Sequence, residues 1–483
     1  VNFIRTGKII VTITWLVLLG LLIGRDFFVR KIDSREIRAL QKADQERYYG
    51  VWFKNRRIGY VAETLQPEEE NIILNQQAHI LLNVLETTQP IDMKVNARLN
   101  RQFILHDFDF HFTSPFYTMS AQGHVEGNDV LFTLDTGQST INDKVSLSAP
   151  PLLAVNDRSY LLERLNNPGE KIKIPSFDPL SLTGRESVVT YHGQEKILVQ
   201  RRVKQLHHFS ELFSGMRINF WLDDNGRIVQ EESPAGFKFI AEPEFRAKDV
   251  VRSGNELLSS VAVPLKGPLP DPESRQITYR LTLPSGFDHD LEGGRQQFDD
   301  NILTVSFEKI PSQSEKVVMN FCGQAEYLQP SRYVQSDHQD IKTLAGEIVG
   351  METDPVVHVR LLADWVFRNL EKRPVLGLPD ALTTLHSKKG DCNEHASLFA
   401  ALARSLGIPA VIATGVTKMN NAFYYHAWNE VCLNGNWYSL DTTTNQMPAD
   451  LFHIRFSRGD MDQQLKIGAL LGNLKIDIIP QDK

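Results

Sequence analysis

At 483 residues the chain is long for one core, and ordinary domain sizes imply about two to four domains. Its composition is globular, 42% apolar and 23% charged, and a net charge of −7 excludes the basic-faced class of nucleic-acid binder. Three cysteines (Cys322, Cys392 and Cys432) are too few for a disulfide framework and leave at least one thiol free. A Cys322–Cys432 bridge stays open at this point.

In chain order, Ile9 to Gly24 form sixteen uncharged residues between Lys8 and Arg25. That run is slightly short of the roughly 17–25 residues of a membrane span, but snorkelling by the flanking cations extends its reach. No small-x-small cleavage site follows at Leu22 to Phe27. Residues 1–31 are therefore expected to be an uncleaved single-pass anchor, with the body outside the cytoplasm in the periplasm or cell envelope. Basic residues on the two sides (Arg5 and Lys8 against Arg25, Arg30 and Lys31) nearly balance. Residues 32–48 read as a charged juxtamembrane segment.

Residues 49–262 alternate in short runs such as Tyr60 to Leu65 and Val130 to Leu134. Turn residues, including Gly127-Asn128-Asp129 and Asp224-Asn225-Gly226, separate them. Such spacing predicts an antiparallel β-rich domain of sandwich or barrel type. Within it, Asp107, Asp109 and His111 share one strand face and Phe108, Phe110 and Phe112 the other, the pattern of a solvated sheet face rather than a metal set. His207 and His208 fall on opposite faces and make a poor ligand pair. Pro264, Pro268, Pro270 and Pro272 mark a semi-rigid linker over 263–274. Residues 275–330 form a small β module, with strands at Ile277 to Leu283 and Ile302 to Phe307.

From 331 to 483 the periodicity turns helical. Asp354-Pro355 supplies an N-cap and a first-turn proline, followed by Leu361, Leu362, Trp365, Val366 and Leu370 at helical spacing. A second helix opens at Gly390-Asp391-Cys392-Asn393-Glu394-His395-Ala396. Asp391 and Glu394 have the spacing of a capping box, and Gly407 with Pro409 closes the helix. Cys392 thus sits in the first turn, where free N–H groups and the helix dipole favour a thiolate nucleophile. The amides there could also stabilise an oxyanion. Taken alone, a lone cysteine is more often a small buried side chain.

Phe423 to Leu433 reads as a strand, Asn434-Gly435 as a two-residue hairpin turn, and Asn436 to Leu440 as the return strand. That register sets Leu433 opposite Asn436 and brings His426, Trp428, Asp441 and Thr443 to one face. His426 and Asp441 become diagonal neighbours within reach of a carboxylate–imidazole hydrogen bond. A histidine oriented by a carboxylate, with Cys392 as the available nucleophile, is the logic of acyl transfer. His395, three residues after Cys392, could neighbour substrate or simply pack, and Trp428 could wall an acyl channel or simply pack.

These residues resemble the transglutaminase-like superfamily, which has a papain-like fold with a Cys-His-Asp triad. The resemblance covers about 330 to 480. It rests on Gly390 to Ala396, Leu406-Gly407-Ile408-Pro409-Ala410, His426-Ala427-Trp428-Asn429-Glu430-Val431 and Trp437-Tyr438-Ser439-Leu440-Asp441-Thr442-Thr443. It implies Cys392 as nucleophile, His426 as general base and acid, and Asp441 as the orienter of the histidine. The family usually has Asp-Pro-Thr where this chain has Asp441-Thr442-Thr443, which removes a rigid residue from the turn but keeps the carboxylate.

The expectation is an α+β protein: an N-terminal transmembrane helix, antiparallel β-rich modules, and a C-terminal papain-like catalytic domain. Its function is expected to be thiol acyl transfer on amide bonds of a protein or peptide, as a peptidase or amidase or as a transglutaminase. The alternative is a non-catalytic envelope scaffold that binds peptides. No cofactor or metal is implied, since the sequence lacks a phosphate loop, a dinucleotide fingerprint, a zinc-spaced Cys/His set and a clustered acidic calcium loop. Nucleic acid is not an expected partner, and no oligomeric state is implied.

Overall fold

Residue alternation governs the N-terminal half. In the computed structural model, strand Leu105–Thr113 buries Phe108, Phe110 and Phe112 while His106 and His111 face solvent. The structure describes residues 46–480 apart from 69, 85–86, 116, 154–156, 214–215, 251–261, 312–321, 323–324 and 376. Neighbouring strands share the alternation, so their apolar faces merge into one core that joins Leu99, Leu105, Phe110, Phe132 and Phe177.

Fifteen strands form a single sheet. Its first eight, from Glu46–Phe53 to Thr140–Ser146, each pair with the next in sequence. The other seven run in order from Leu152–Leu153 to Phe237–Glu242. The two halves join where Glu46–Phe53 lies antiparallel to Phe237–Glu242, with Tyr48 opposite Glu242. The far ends also approach one another. Leu152 bridges Ile104, and a Cβ placed on Gly184 would lie 2.5 Å from Val145. The sheet is therefore strongly curled.

This arrangement corrects the expected α+β class. The described chain is mostly β, because helix-period sequence is largely confined to Gln339–Ser405 while consecutive strands pair across one large sheet. The membrane expectation is corrected as well. No helix among the described residues is long and apolar enough to cross a membrane. The run Ile9 to Gly24 lies outside the described residues. No helix among the described residues supports the single-pass anchor or the extracytoplasmic placement that rested on it.

Two smaller sheets complete the fold. Gln276–Thr282, Gln296–Asp299 and Ile302–Ser306 take a fourth strand, Lys475–Ile479, from near the chain's C-terminal end. Val263–Pro264, within the proline-rich stretch, pairs with Phe423 and Ala422 at the edge of the other sheet. That sheet also contains Ala410–Met419, Ala422–Leu433, Asn436–Leu440 and Ile454–Arg458.

Helices Gln339–Val349, Pro355–Asn369 and Ala381–Ser387 pack around helix Cys392–Ser405, which is buried from Glu394 to Arg404. Asp354 caps its helix by accepting from the Val356 amide, with Pro355 in the first turn. Val359, Leu362, Ala363 and Val366 carry the buried face there, while Leu361 points outward. Cys322 and Cys432 are disulfide-bonded, with Cα atoms 6.1 Å apart, which leaves Cys392 as the free thiol.

Candidate active site

The helix that carries Cys392 begins with the anticipated capping box. Asp391 accepts from the Asn393 amide at 3.0 Å, and Glu394 accepts from the Asp391 amide at 2.8 Å. Together they satisfy amides that a helix start would otherwise leave open. Gly390 is required by contact: a Cβ there would lie 2.3 Å from that of Glu394. Asn429 anchors the helix to strand Ala422–Leu433 by donating to the Ala396 carbonyl at 3.0 Å.

The hairpin has the expected register, with Leu433 opposite Asn436 and Asn429 opposite Leu440. Asn434 and Gly435 both have positive φ, 53° and 76°, as a type I′ turn requires. Asp441 leaves the ladder just beyond Leu440 and bridges to Gln446. Its carboxylate nevertheless meets the histidine, with His426 Nε2 donating to Asp441 Oδ2 at 3.1 Å. That bond leaves Nδ1 of His426 free to take a proton. The Ala427 amide, one residue on from His426, lies near enough to the Cys392 sulfur to favour its thiolate. The structure thus brings the Cys392 sulfur to the strand that carries His426, and His426 to Asp441.

The turn without proline is held by hydroxyls. Asp441 Oδ1 accepts from the Thr443 amide at 2.8 Å and the Thr443 hydroxyl at 2.7 Å, and Oδ2 accepts from the Thr444 hydroxyl at 2.7 Å. A further partner is one that the sequence reading missed. His453 Nε2 lies 3.3 Å from Asp441 Oδ2, and its Nδ1 lies 2.9 Å from Asp450 Oδ1. Trp428 is buried and stacks on the His426 ring at 6.2 Å, and it stands edge-to-face with the His453 ring at 5.1 Å. It packs both imidazoles.

Electrostatics revise one expectation. Burial pushes the Cys392 thiol well up, Asp391 adds to the effect, and the Ala427 amide only partly opposes it. The resting group is a thiol, so desolvation outweighs the helix start that favoured a thiolate. Burial would also raise the Asp441 carboxyl, but hydrogen bonds from His426 and His453 outweigh it and hold the group well below the carboxylate range. His453 is raised, because burial is outweighed by its bonds to Asp441 and Asp450.

Other candidates separate cleanly. His395 is fully buried, and its Nδ1 donates to the Asp391 carbonyl at 2.7 Å. That bond makes it a packing residue of its own helix, with Nε2 unpartnered. Asp107 pairs with Arg98, and Asp109 accepts from Gln122 at 3.0 Å and pairs with His111 at 2.9 Å, on a solvated face. His207 and His208 bond to different partners, Tyr191 and Asn219. Among the described residues, His426, Asp441 and His453 have nitrogen and oxygen atoms within 4.8 Å of one another. Both imidazoles lie within hydrogen-bond distance of the Asp441 carboxylate, so the three side chains form one polar cluster. A cavity of about 350 Å³ lies in the curl of the large sheet, lined by Met93, Phe110, Arg158, Phe177, Glu211 and Glu231 among others. None of the residues around Cys392 lines it.

Residues 342–442 match the profile of the transglutaminase-like superfamily, so this part of the chain is a transglutaminase-like domain. A protein of Haemophilus influenzae described as "Uncharacterized protein" is 36% identical over 90 residues, which is 18% of this chain and 24% of that one. The chain thus spans about a quarter of that relative. Among solved structures, "a Putative Cysteine Protease from Cytophaga hutchinsonii" is 20% identical and covers 43% of this chain and 90% of its own, with a TM-score of 0.28. A "Beta-barrel-like Protein of Domain of Unknown Function DUF1849 from Brucella abortus" is 11% identical and covers 41% and 94%, with a TM-score of 0.32. TM-scores this low give neither likeness any weight for fold or function.

Proposed function

We propose that the transglutaminase-like domain is a thiol acyl-transfer enzyme acting on amide bonds of a protein or peptide. Cys392 is the nucleophile, His426 the general base and acid, and Asp441 the orienter. The observation that carries this reading is the Ala427 amide set beside the Cys392 sulfur, next to the His426–Asp441 pair.

Because the resting sulfur is protonated, the reaction begins with general-base attack rather than a standing thiolate. His426 takes the thiol proton as sulfur adds to the amide carbonyl, and Asp441 stabilises the imidazolium that forms. The imidazolium then protonates the leaving amine, and the tetrahedral adduct collapses to a thioester on Cys392. Water, activated by the same histidine, releases the acid and restores the thiol. An amine entering instead would give transamidation.

A second reading, a peptide-binding domain without chemistry, draws on the same upward push on the Cys392 thiol. Alkylation by iodoacetamide separates the two. The acyl-transfer reading expects Cys392 to react near pH 7.5, with the rate falling on the order of tenfold or more in His426→Ala. A rate equal in wild type and variant would sink the enzyme reading. Mass spectrometry of a thioester trapped on Cys392 from a peptide mixture then separates hydrolysis from amine transfer by the product released.

A further inference from the structure

We propose that His453 is a positively charged positioning residue of this site, an imidazolium that clamps the Asp441 carboxylate in its ionised state and aims it at His426. The inference rests on the reading of Cys392, His426 and Asp441 given above and deepens it.

Asp441 is 1% exposed, and its two oxygens accept from the Thr443 amide, the Thr443 and Thr444 hydroxyls, and His426. A buried carboxylate that accepts that many bonds carries no proton of its own. The His453 Nε2, 3.3 Å from Oδ2, must therefore be the donor. At the other end of the ring, Asp450 Oδ1 accepts from the Phe452 amide at 2.9 Å and lies 2.9 Å from Nδ1. Asp450 is itself held low, chiefly by His453, against the partial desolvation of its carboxyl, so it too acts as an acceptor. With a carboxylate facing each nitrogen, both nitrogens carry hydrogen, and the ring is a cation.

Every element packed on the ring agrees. Thr417 Oγ1, from the neighbouring strand, lies 3.4 Å from Nδ1 and is free to turn its lone pair inward. The Trp428 and His426 rings both stand roughly perpendicular to the His453 ring, with centres 5.1 and 5.7 Å away. The Arg295 guanidinium reaches the Asp450 backbone carbonyl rather than the His453 ring, and Tyr279 donates to the Leu451 carbonyl. The ring is 2% exposed and Asp441 1%, so solvent does little to screen that pair. His453 touches neither sulfur nor substrate, and it acts only through Asp441.

Removing this charge should make every proton-binding group of the cluster hold its proton to higher pH. Two variants test that, His453→Gln and Asp450→Asn, the second at a side chain that is 43% exposed. The readout is the pH profile of Cys392 alkylation, with His453 charge followed separately by nitrogen NMR on histidine-labelled protein. The expected result is an acid limb displaced upward by about half a pH unit or more in His453→Gln and by less in Asp450→Asn. Wild-type His453 should be protonated on both nitrogens at pH 7. A neutral His453 at pH 7, or superimposable acid limbs in all three proteins, overturns the proposal. If His426→Ala leaves alkylation unchanged, the acyl-transfer reading fails instead, while the NMR result still decides the charge on His453.

Discussion

Gly415 faces His426 across the strand pair, and its missing side chain makes room for the site. A Cβ at this position would sit 1.9 Å from the Ile454 carbonyl oxygen and 2.9 Å from the Trp428 ring. Since the nearer atom is backbone, no side-chain rotation relieves the clash. Gly415→Ala should lower stability by about 1–3 kcal/mol, read as a shifted urea midpoint, and should slow Cys392 alkylation by displacing Trp428 from His426. At this scale the sequence was legible wherever neighbouring residues decide the outcome. Asp391, Cys392 and Glu394 announce a capped helix start, and Asn434-Gly435 sets the register that delivers His426 to Asp441. His453 carried no such signal. It enters the site through strand Ile454–Arg458, paired with Ala410–Met419 in a register that no local turn announces. The charge state of Cys392 was also out of reach, because it depends on burial by distant chain rather than on the helix start.

Helices and strands around the site are tied by ions as well as apolar contact. Arg455, almost fully buried, pairs with Glu430 at 2.7 Å and donates to the carbonyls of Asp290, Glu292 and Gly293, binding the small sheet to the strand after the site. The Asp441–His453 pair gives these elements a pH-dependent tie whose sign follows from its two shifts. Asp441 is depressed in the folded state, so its contribution is present above an unfolded value near 3.9 and is lost as pH falls. His453 is raised, so its contribution is complete below about 6.5 and is lost as pH climbs through the folded value. Thermal unfolding should therefore show a maximum of stability between those limits, and His453→Gln should flatten the alkaline side while leaving part of the acid side. An unchanged alkaline limb in the variant would count against the tie. Element type was largely readable here, as the Asp354-Pro355 start shows. The inward face of that helix was less so, since Leu361 fits the period yet points outward.

The disulfide and the large sheet set the behaviour of the whole molecule. Cys322–Cys432 closes a loop of 110 residues that contains the helical cluster and Cys392. Cys322→Ser should cost roughly 2–4 kcal/mol in a denaturant titration, and it should leave Cys392 alkylation unchanged below the unfolding transition. Loss of Cys392 reactivity at full native signal would contradict that separation. Individual strands were visible in the alternation of residues 49–262, whereas the joining of two runs into fifteen strands was not. Hairpin neighbours find each other through short turns, but the Tyr48–Glu242 pairing is specified only by complementarity between segments far apart in sequence. That junction has a consequence for biosynthesis. Glu46–Phe53 leaves the ribosome well before Phe237–Glu242, pairs with Arg56–Glu68 on one side, and then waits for the later strand to cover the other. At ordinary elongation rates the delay is on the order of ten to forty seconds. For that interval a nascent chain carries an open β-edge, rich in Tyr49, Val51 and Phe53, in need of shelter from its neighbours.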